Sequence, residues 1–556
     1  MFARSSVRLG TLKSLPIFGL SMFSLVPMAA PVFAESLPTG AQIVVGQAAI
    51  GTQGSTMTVK QASQKAIIDW KGFSVAKGAT VDFQNGKAGA TLNRVTGSAA
   101  SVIDGLMKAE GSVYLINKNG IVVGKTGEIN VGGRFVGSTQ DLSNDSFLAG
   151  GNQTLSGASE ATIVNYGKIG SVGGDVALVA AKVSNEGEIT AANGTAGLLA
   201  GYKVMLRDQA LADGKFSVVV GGAGTSATNA GAIQAAEAEL RAQGGNVYAL
   251  AGNTGGVINA KGVSAKDGRI FLTAEGGELN VSSMLAAKRA DGKGGAIEAT
   301  AKHVLLDDGA KLDASGTTGG TVLVGGDWQG GLNNSLKVAD HDIAHADAVV
   351  MTGGARIDVS GAEGQGGKAV LWSDNYTNFV GNIDAHGATD GGAIETSSKN
   401  ILQTGGKVDA RGMSGKAGEW LLDPSDITIH GTNATTNGSL IGGIFTPTGN
   451  TSTVNAADIN ATLNAGTSVT IQTATAGTTT GTGLITLASG GAISKTAGGD
   501  AALRLNADGN IILNDKITST VGKLDVVLNA RNGKTTTTSD GYVQVNANIG
   551  TNGGNI

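Results

Sequence analysis

The sequence predicts an all-β chain: a right-handed parallel β-helix, a solenoid, behind an N-terminal capping domain. Three observations point there. Short units recur with a spacing near 20 to 25 residues. Glycine supplies 90 of the 556 residues while aromatics make up only 4%. Val, Ile and Leu come in short runs bounded by Gly, Asn and Asp, as strands between tight turns do. Collagen is excluded because no Gly-X-Y period is present. With hydrophobics at 41%, the chain can still bury a core.

The repeats set the architecture. One unit is Asn-x-Gly-x-Ile, at Asn165–Ile169, Asn185–Ile189 and Asn229–Ile233. Its spacings are 185 − 165 = 20 and 229 − 185 = 44, the second read as two turns of 22. A second unit is apolar-Asp-x-x-Gly, with Asp313, Asp358, Asp384 and Asp409 spaced 45, 26 and 25 apart. A third is apolar-Asn-Ala, with Asn464, Asn506, Asn529 and Asn546 spaced 42, 23 and 17 apart. Such a period fits one turn of a parallel coil, with aliphatic side chains stacked inside. Gly and Asn are expected at the corners because both tolerate positive φ, and stacked Asn residues can hydrogen-bond along the coil. A leucine-rich repeat has a similar period, but its L-x-x-L-x-L-x-x-N signature is not found. At about 22 residues per turn and ~4.8 Å per rung, the chain after residue 34 would make about 24 rungs.

The N-terminus reads as an export signal. Residues 1–14 carry Arg4, Arg8 and Lys13 and no acid; residues 15–30 are apolar; Val32-Phe33-Ala34 ends in a small-residue cleavage site. The chain has no cysteine, so its stability must come from packing. A net charge of −4 without a basic patch argues against nucleic acid as a partner. After residue 34 no apolar run is long enough to span a bilayer.

The most specific stretch is 92–139. Its core is Leu115-Ile116-Asn117-Lys118-Asn119-Gly120-Ile121, followed by Gly124 and by Ile129-Asn130-Val131-Gly132-Gly133. Upstream lie Trp70-Lys71-Gly72-Phe73-Ser74-Val75, Val81-Asp82-Phe83-Gln84 and Leu92-Asn93-Arg94-Val95. Over residues 36–142 this closely resembles the amino-terminal secretion domain of two-partner secretion exoproteins, the filamentous-haemagglutinin type of adhesin. That family usually carries Asn-Pro-Asn-Gly-Ile, and here Lys118 stands in place of the Pro. The resemblance implies a secretion motif at Asn93, Arg94, Asn117, Asn119, Gly120 and Ile121. It also implies an outer-membrane transporter as partner, and passage through periplasm and outer membrane to the cell surface or medium.

The expected organisation is a signal peptide at 1–34, a secretion domain at 35–150 and a β-helix repeat region at 151–422. A Thr-, Asn- and Gly-rich continuation follows at 423–556, ending in mid-repeat as a truncated member or a fragment would. The phrase GKAGEWLLDPSDITI at 415–429 also looks common in this adhesin family.

Other chemical signals are weaker. Gly124-Lys125-Thr126 lacks the upstream Gly of a phosphate loop, since position 119 is Asn. Leu37-Pro38-Thr39-Gly40 reads as a loop of the mature N-terminus. His341 and His345, among acids, could hold a metal only if a helix brought them together. The recurring Asp313, Asp358, Asp384 and Asp409 could be the acid stripe of a polysaccharide lyase, but a catalytic pair would break a repeat rather than follow it. The sequons at Asn375 and Asn437 are weak in so Asn-rich a chain. No catalytic, cofactor-binding or metal-ligating residue is assigned, and no cofactor is expected. The function expected is a non-enzymatic adhesin presenting a repetitive face to a host or neighbouring cell, through glycan or protein. The alternatives are a β-helical polysaccharide-active enzyme and a truncated toxin-delivery or haem-acquisition exoprotein.

Overall fold

The computed structural model describes residues 37–251, 256–263, 268–331, 334–423, 426–431, 438–441, 444–447, 452–473, 482–531 and 541–556. The expected signal peptide lies outside the described residues, as does Asn437.

Alternation of apolar and polar residues at a period of two builds short strands, and these stack in parallel into a three-faced coil. On the first face Thr56–Gln61 pairs with Thr80–Gln84, which pairs with Leu106–Ala109, and the register runs on to Lys407–Asp409. The second face runs from Lys65–Trp70 to Leu524–Ala530, and the third from Ser101–Ile103 to Val543–Val545. Inside, one residue type sits on itself. Ile129, Ile169, Ile189, Ile233 and Ile258 form one continuous buried ladder. Burying each such side chain is worth about 1.5–3 kcal/mol. At the N-terminal end Gln42–Val45 and Ala48–Gln53 add antiparallel to the first strands of two faces and close their edges. This is the capping expected from the sequence.

The Asn unit is a rung-to-rung ladder. Asn165, Asn185 and Asn229 are fully buried at one register position. Asn165 Nδ2 donates to Asn185 Oδ1 (2.7 Å), and Asn185 Nδ2 donates to Asn229 Oδ1 (2.7 Å). Their glycines are required for a reason other than the expected one. Gly187 does not have positive φ; a Cβ there would lie 2.2 Å from the carbonyl oxygen of Gly167 one turn below. The Asp unit is likewise in register. Asp313, Asp358, Asp384 and Asp409 stack, and each accepts the backbone N–H two residues on, at 3.0–3.1 Å. Their partner glycines, Gly316, Gly361, Gly387 and Gly412, bridge one another.

The third unit does not form one stack. Asn506 and Asn529 pair on the second face (2.9 Å), Asn546 pairs with Asn514 at the third (2.7 Å), and Asn464 ends a helix. The spacing of 44 is also one turn rather than two, because Asn185 and Asn229 are direct neighbours. The extra length leaves the coil as an excursion, as does that behind the spacing of 45. The coil therefore has fewer turns than uniform 22-residue rungs would give.

Three excursions leave from one corner, between the second and third faces, and lie over the second face. Residues 139–161 and 201–225 supply Asp141–Leu142, Gln153–Ser156, Lys203–Leu211 and Gly214–Val220, which form a four-stranded antiparallel sheet. Helix Asn144–Ala149 is capped by Ser143. Leu155, Val204, Leu206 and Phe216 cover outward-facing Ile67, Leu92, Val136 and Leu199 and make a second core. The loop of residues 325–331 and 334–347 covers Leu323, Val370 and Trp372 with Trp328, Val338, Ala339 and Ile343. His341 anchors that loop, with Nε2 3.0 Å from Glu298 Oε2 and Nδ1 3.1 Å from Asp340 Oδ1. Near residue 420 the coil changes. Ser452–Asn455 inserts on the third face between Ile401–Thr404 and Ile427–His430. Helix Ala456–Asn464 then takes the place of a first-face strand, between Lys407–Asp409 and Ile493–Lys495.

Asn185→Ala removes the donor to buried Asn229 Oδ1 and one of the two acceptors of Asn165 Nδ2, at a cost of about 1–3 kcal/mol. Faster amide exchange at rungs 162–191 and 226–235 is the readout, and unchanged protection would refute the ladder's role. The hydrogen bond that His341 donates to Glu298 raises its pKa to about 9, against the opposing effect of burial and with help from Asp340. The folded value lies above the ordinary one of about 6.5. The anchor is therefore fully present below about 6.5 and is lost as pH rises through about 9. Imidazole NMR titration should give a midpoint near 9, falling toward the ordinary value in Glu298→Gln.

Candidate functional site

The residues of the expected secretion motif lie on two successive rungs at the second-to-third corner. Asn93 is opposite Leu115 and Arg94 is opposite Ile116 in adjacent second-face strands. The chain then turns at Asn117-Lys118-Asn119-Gly120, closed by Gly120 N–H to Asn117 O (3.1 Å). Neither Lys118 nor Asn119 has positive φ, which leaves a type I turn; Gly120, at φ +111°, provides the exit. Type I turns accept Pro or most other residues at their second position, so Lys118 fits where the family has Pro.

The asparagine side chains are spent internally. Asn117 is fully buried, and its Nδ2 donates to Ala99 O (3.0 Å) and Ser101 Oγ (2.9 Å) of the rung below. Its Oδ1 accepts the Asn119 N–H (2.9 Å), while Asn119 Nδ2 reaches Gly97 O (2.9 Å). Asn93 is buried too, accepting from Trp70 Nε1 (3.0 Å) and donating to Tyr114 O (3.2 Å). Ile121 starts the next third-face strand and points into the core. Lys118 faces solvent, and its carbonyl accepts from Ser159 Oγ (2.6 Å) at the end of the first excursion.

Arg94 has a different task. Its Nε donates to Asp141 Oδ1 (2.9 Å), and its Nη2 donates to Leu142 O (2.8 Å) and Asn144 Oδ1 (3.0 Å). It clamps the start of the excursion onto the second face. The motif thus joins Asn117, Asn119, Gly120 and Ile121 in one turn and places Asn93 and Arg94 one rung below. Its chemistry is positional: it fixes a corner and the root of an outer sheet.

The weaker signals settle as follows. Gly124-Lys125-Thr126 is a turn between strands, with Gly127 N–H on Gly124 O (2.8 Å). Thr39 bridges Gly72 antiparallel. His341 and His345 lie in an irregular loop; His345 pairs with Asp374 (3.1 Å) and Gly330 O (2.8 Å) rather than with His341. Asp384, His386 and Asp409 bring potential ligand atoms within 4.8 Å of one another. There, however, His386 Nδ1 is on Asp384 (2.6 Å) and Asp409 Oδ2 is on Arg411 (3.0 Å). The sequence reading missed the outer sheet and the anchors that hold it, Arg94 among them. The only signal was the irregular spacing of the repeats.

Comparison with known proteins agrees with this geometry. The family model described as TPS secretion domain matches residues 34–287. A Haemophilus influenzae protein named heme/hemopexin-binding protein is 35% identical over 262 residues, which is 45% of this chain and 28% of that protein. Another of the same name from that species is 44% identical over 81 residues, 14% of this chain and 9% of its own length. The chain thus spans well under a third of these relatives. The crystal structure of the HMW1 secretion domain from Haemophilus influenzae matches with a TM-score of 0.60 and 31% identity, over 69% of this chain and 100% of that one. With a solved secretion domain matched along its whole length, and the Asn117 corner inside the matched segment, the chain belongs to the family of two-partner secretion exoproteins.

Proposed function

We propose that the chain is exported through the outer membrane by a two-partner-type transporter that engages its N-terminal rungs, and that the folded coil acts outside as an adhesin. The observation that carries the export reading is the match over 34–287 with the motif corner inside it. Two features of the chain suit it. Without cysteine it can cross the periplasm without oxidative trapping. A coil in which each rung rests on the one before can fold by addition at one end as it emerges. Because Asn117 and Asn119 are spent on the rung below, they act by forming the corner, while Lys118 and the outer sheet remain at the surface.

The adhesin reading rests on the repeated outer faces, which supply many equivalent contacts and bind by avidity. A second reading is favoured by one observation: a relative at 35% identity is named for heme and hemopexin binding. On that reading the coil carries a partner for haem acquisition. Catalysis is not part of either. The recurring aspartates serve identical turns at each rung, which a preorganised catalytic pair would not do.

In cells carrying the transporter, Asn117→Ala/Asn119→Ala is expected to lower the protein in the medium several-fold, since each change leaves buried groups unpaired at about 1–3 kcal/mol. Lys118→Pro should be secreted like the parent, because the turn accepts it. Normal secretion of the double variant would remove the motif from the export step. Asp358→Asn/Asp384→Asn should bind cells as the parent does, because Asn serves the same turn. If the parent releases new ends from polysaccharides and this variant does not, the chain is an enzyme.

A further inference from the structure

Two excursions over the second face, the hairpin at 203–220 and the loop at 334–347, are fastened to each other and to the coil. Arg269 Nη1 donates to Ala212 O (2.7 Å) at the hairpin tip, and its Nη2 donates to Asp340 Oδ2 (3.3 Å) in the loop. Arg241 donates to Asp213 O, and His341 sits on Glu298. Phe271 is buried beneath Arg241 and Arg269, whose guanidinium carbons lie 5.1 and 5.9 Å from the ring centre. Between the two walls remains a cleft of about 610 Å³. Its floor is Arg241, Thr273, Glu298 and Thr300 from successive rungs; Ser217 lines one wall and Ile343 the other. That volume suits a bound small molecule or a short chain segment.

The lining restricts the occupant. Strand addition by a peptide is blocked at the start of the hairpin wall, where Glu239, fully buried, already accepts the N–H groups of Lys215 (2.6 Å) and Phe216 (3.1 Å). A polyanion finds the cationic groups already paired, and Glu275 adds a further carboxylate to the lining. Arg241 is matched by Glu239 (2.7 Å), Lys302 by Asp347 (3.8 Å) and His345 by Asp374 (3.1 Å). An apolar ligand finds the Phe271 ring covered. What the cleft offers is a fixed alternation of carboxylates and cationic donors at neighbouring positions. A hydroxyl group both donates and accepts, so a chain of hydroxyls satisfies both kinds of partner at once.

We propose that this cleft binds a neutral saccharide chain. The proposal deepens the adhesin reading by naming the class of ligand, and it rests on that reading only for where the ligand is met. The test is calorimetry of the purified full chain with cellohexaose, maltohexaose and mannohexaose, with a heparin hexasaccharide as the polyanionic arm. At least one neutral hexasaccharide should bind one to one. Lys302→Ala/Asp347→Asn, at the exposed rim, should weaken it about tenfold, as the loss of one or two hydrogen bonds does, with an unchanged melting temperature. Ser217→Trp should block the cleft and abolish binding. Failure of every neutral hexasaccharide, preference for the heparin fragment, or undiminished binding by both variants would overturn the proposal. None of these outcomes depends on export, so the secretion assay stands or falls separately.

Discussion

Every rung of this coil needs a rung on each side. The inward aliphatic side chains have nothing to pack against except their equivalents above and below, and the backbone N–H and C=O groups have no other partners. That constraint explains the glycines that touch the carbonyl of the turn beneath, the asparagines that pass one hydrogen bond along the axis, and the antiparallel strands over the first edge. It also explains where variation is allowed. An insertion inside a strand would shift the register and turn the core outward; an insertion at a corner costs little if its ends meet.

One corner takes much of that freedom. The outer sheet, its short helix and the loop near residue 340 all leave between the second and third faces, and all settle on the second. The tight turn at Asn117 is the same corner in its shortest form. Charged side chains fasten the excursions down. Arg94 holds the first at its root, Glu239 closes the free edge of the hairpin, and Arg269 ties hairpin to loop. Each has defined partners, as the fully buried Glu239 in particular requires.

The coil was legible because its repeat is a register. Asp313, Asp358, Asp384 and Asp409 do sit on one another, as do Asn165, Asn185 and Asn229. The spacing of 44 misled because length alone cannot tell two turns from one turn with an excursion. The outer sheet was illegible for a related reason: its apolar residues, such as Leu155 and Phe216, pack on outward positions of the coil, so neither partner shows the pattern of a core alone. The helix at 456–464 replaces a strand without any break in the apolar spacing around it. At the motif, resemblance located Asn117 and Asn119, but only the geometry shows that their side chains face inward. Nothing in the sequence near Arg94 reveals a partner 47 residues on, at Asp141.

The strand Ser452–Asn455 lies between Ile401–Thr404 and Ile427–His430, out of chain order. A polypeptide that emerges N-terminus first can stack each earlier rung as soon as it appears. Here it cannot, because 427–430 has no final neighbour below it until residue 455 has arrived. The coil therefore contains a step out of chain order: earlier rungs can stack in sequence, whereas 427–430 gains its lower neighbour only when 452–455 has arrived. That point divides the growth of the coil into two stages, and a stalled chain would leave its third-face edge unpaired there.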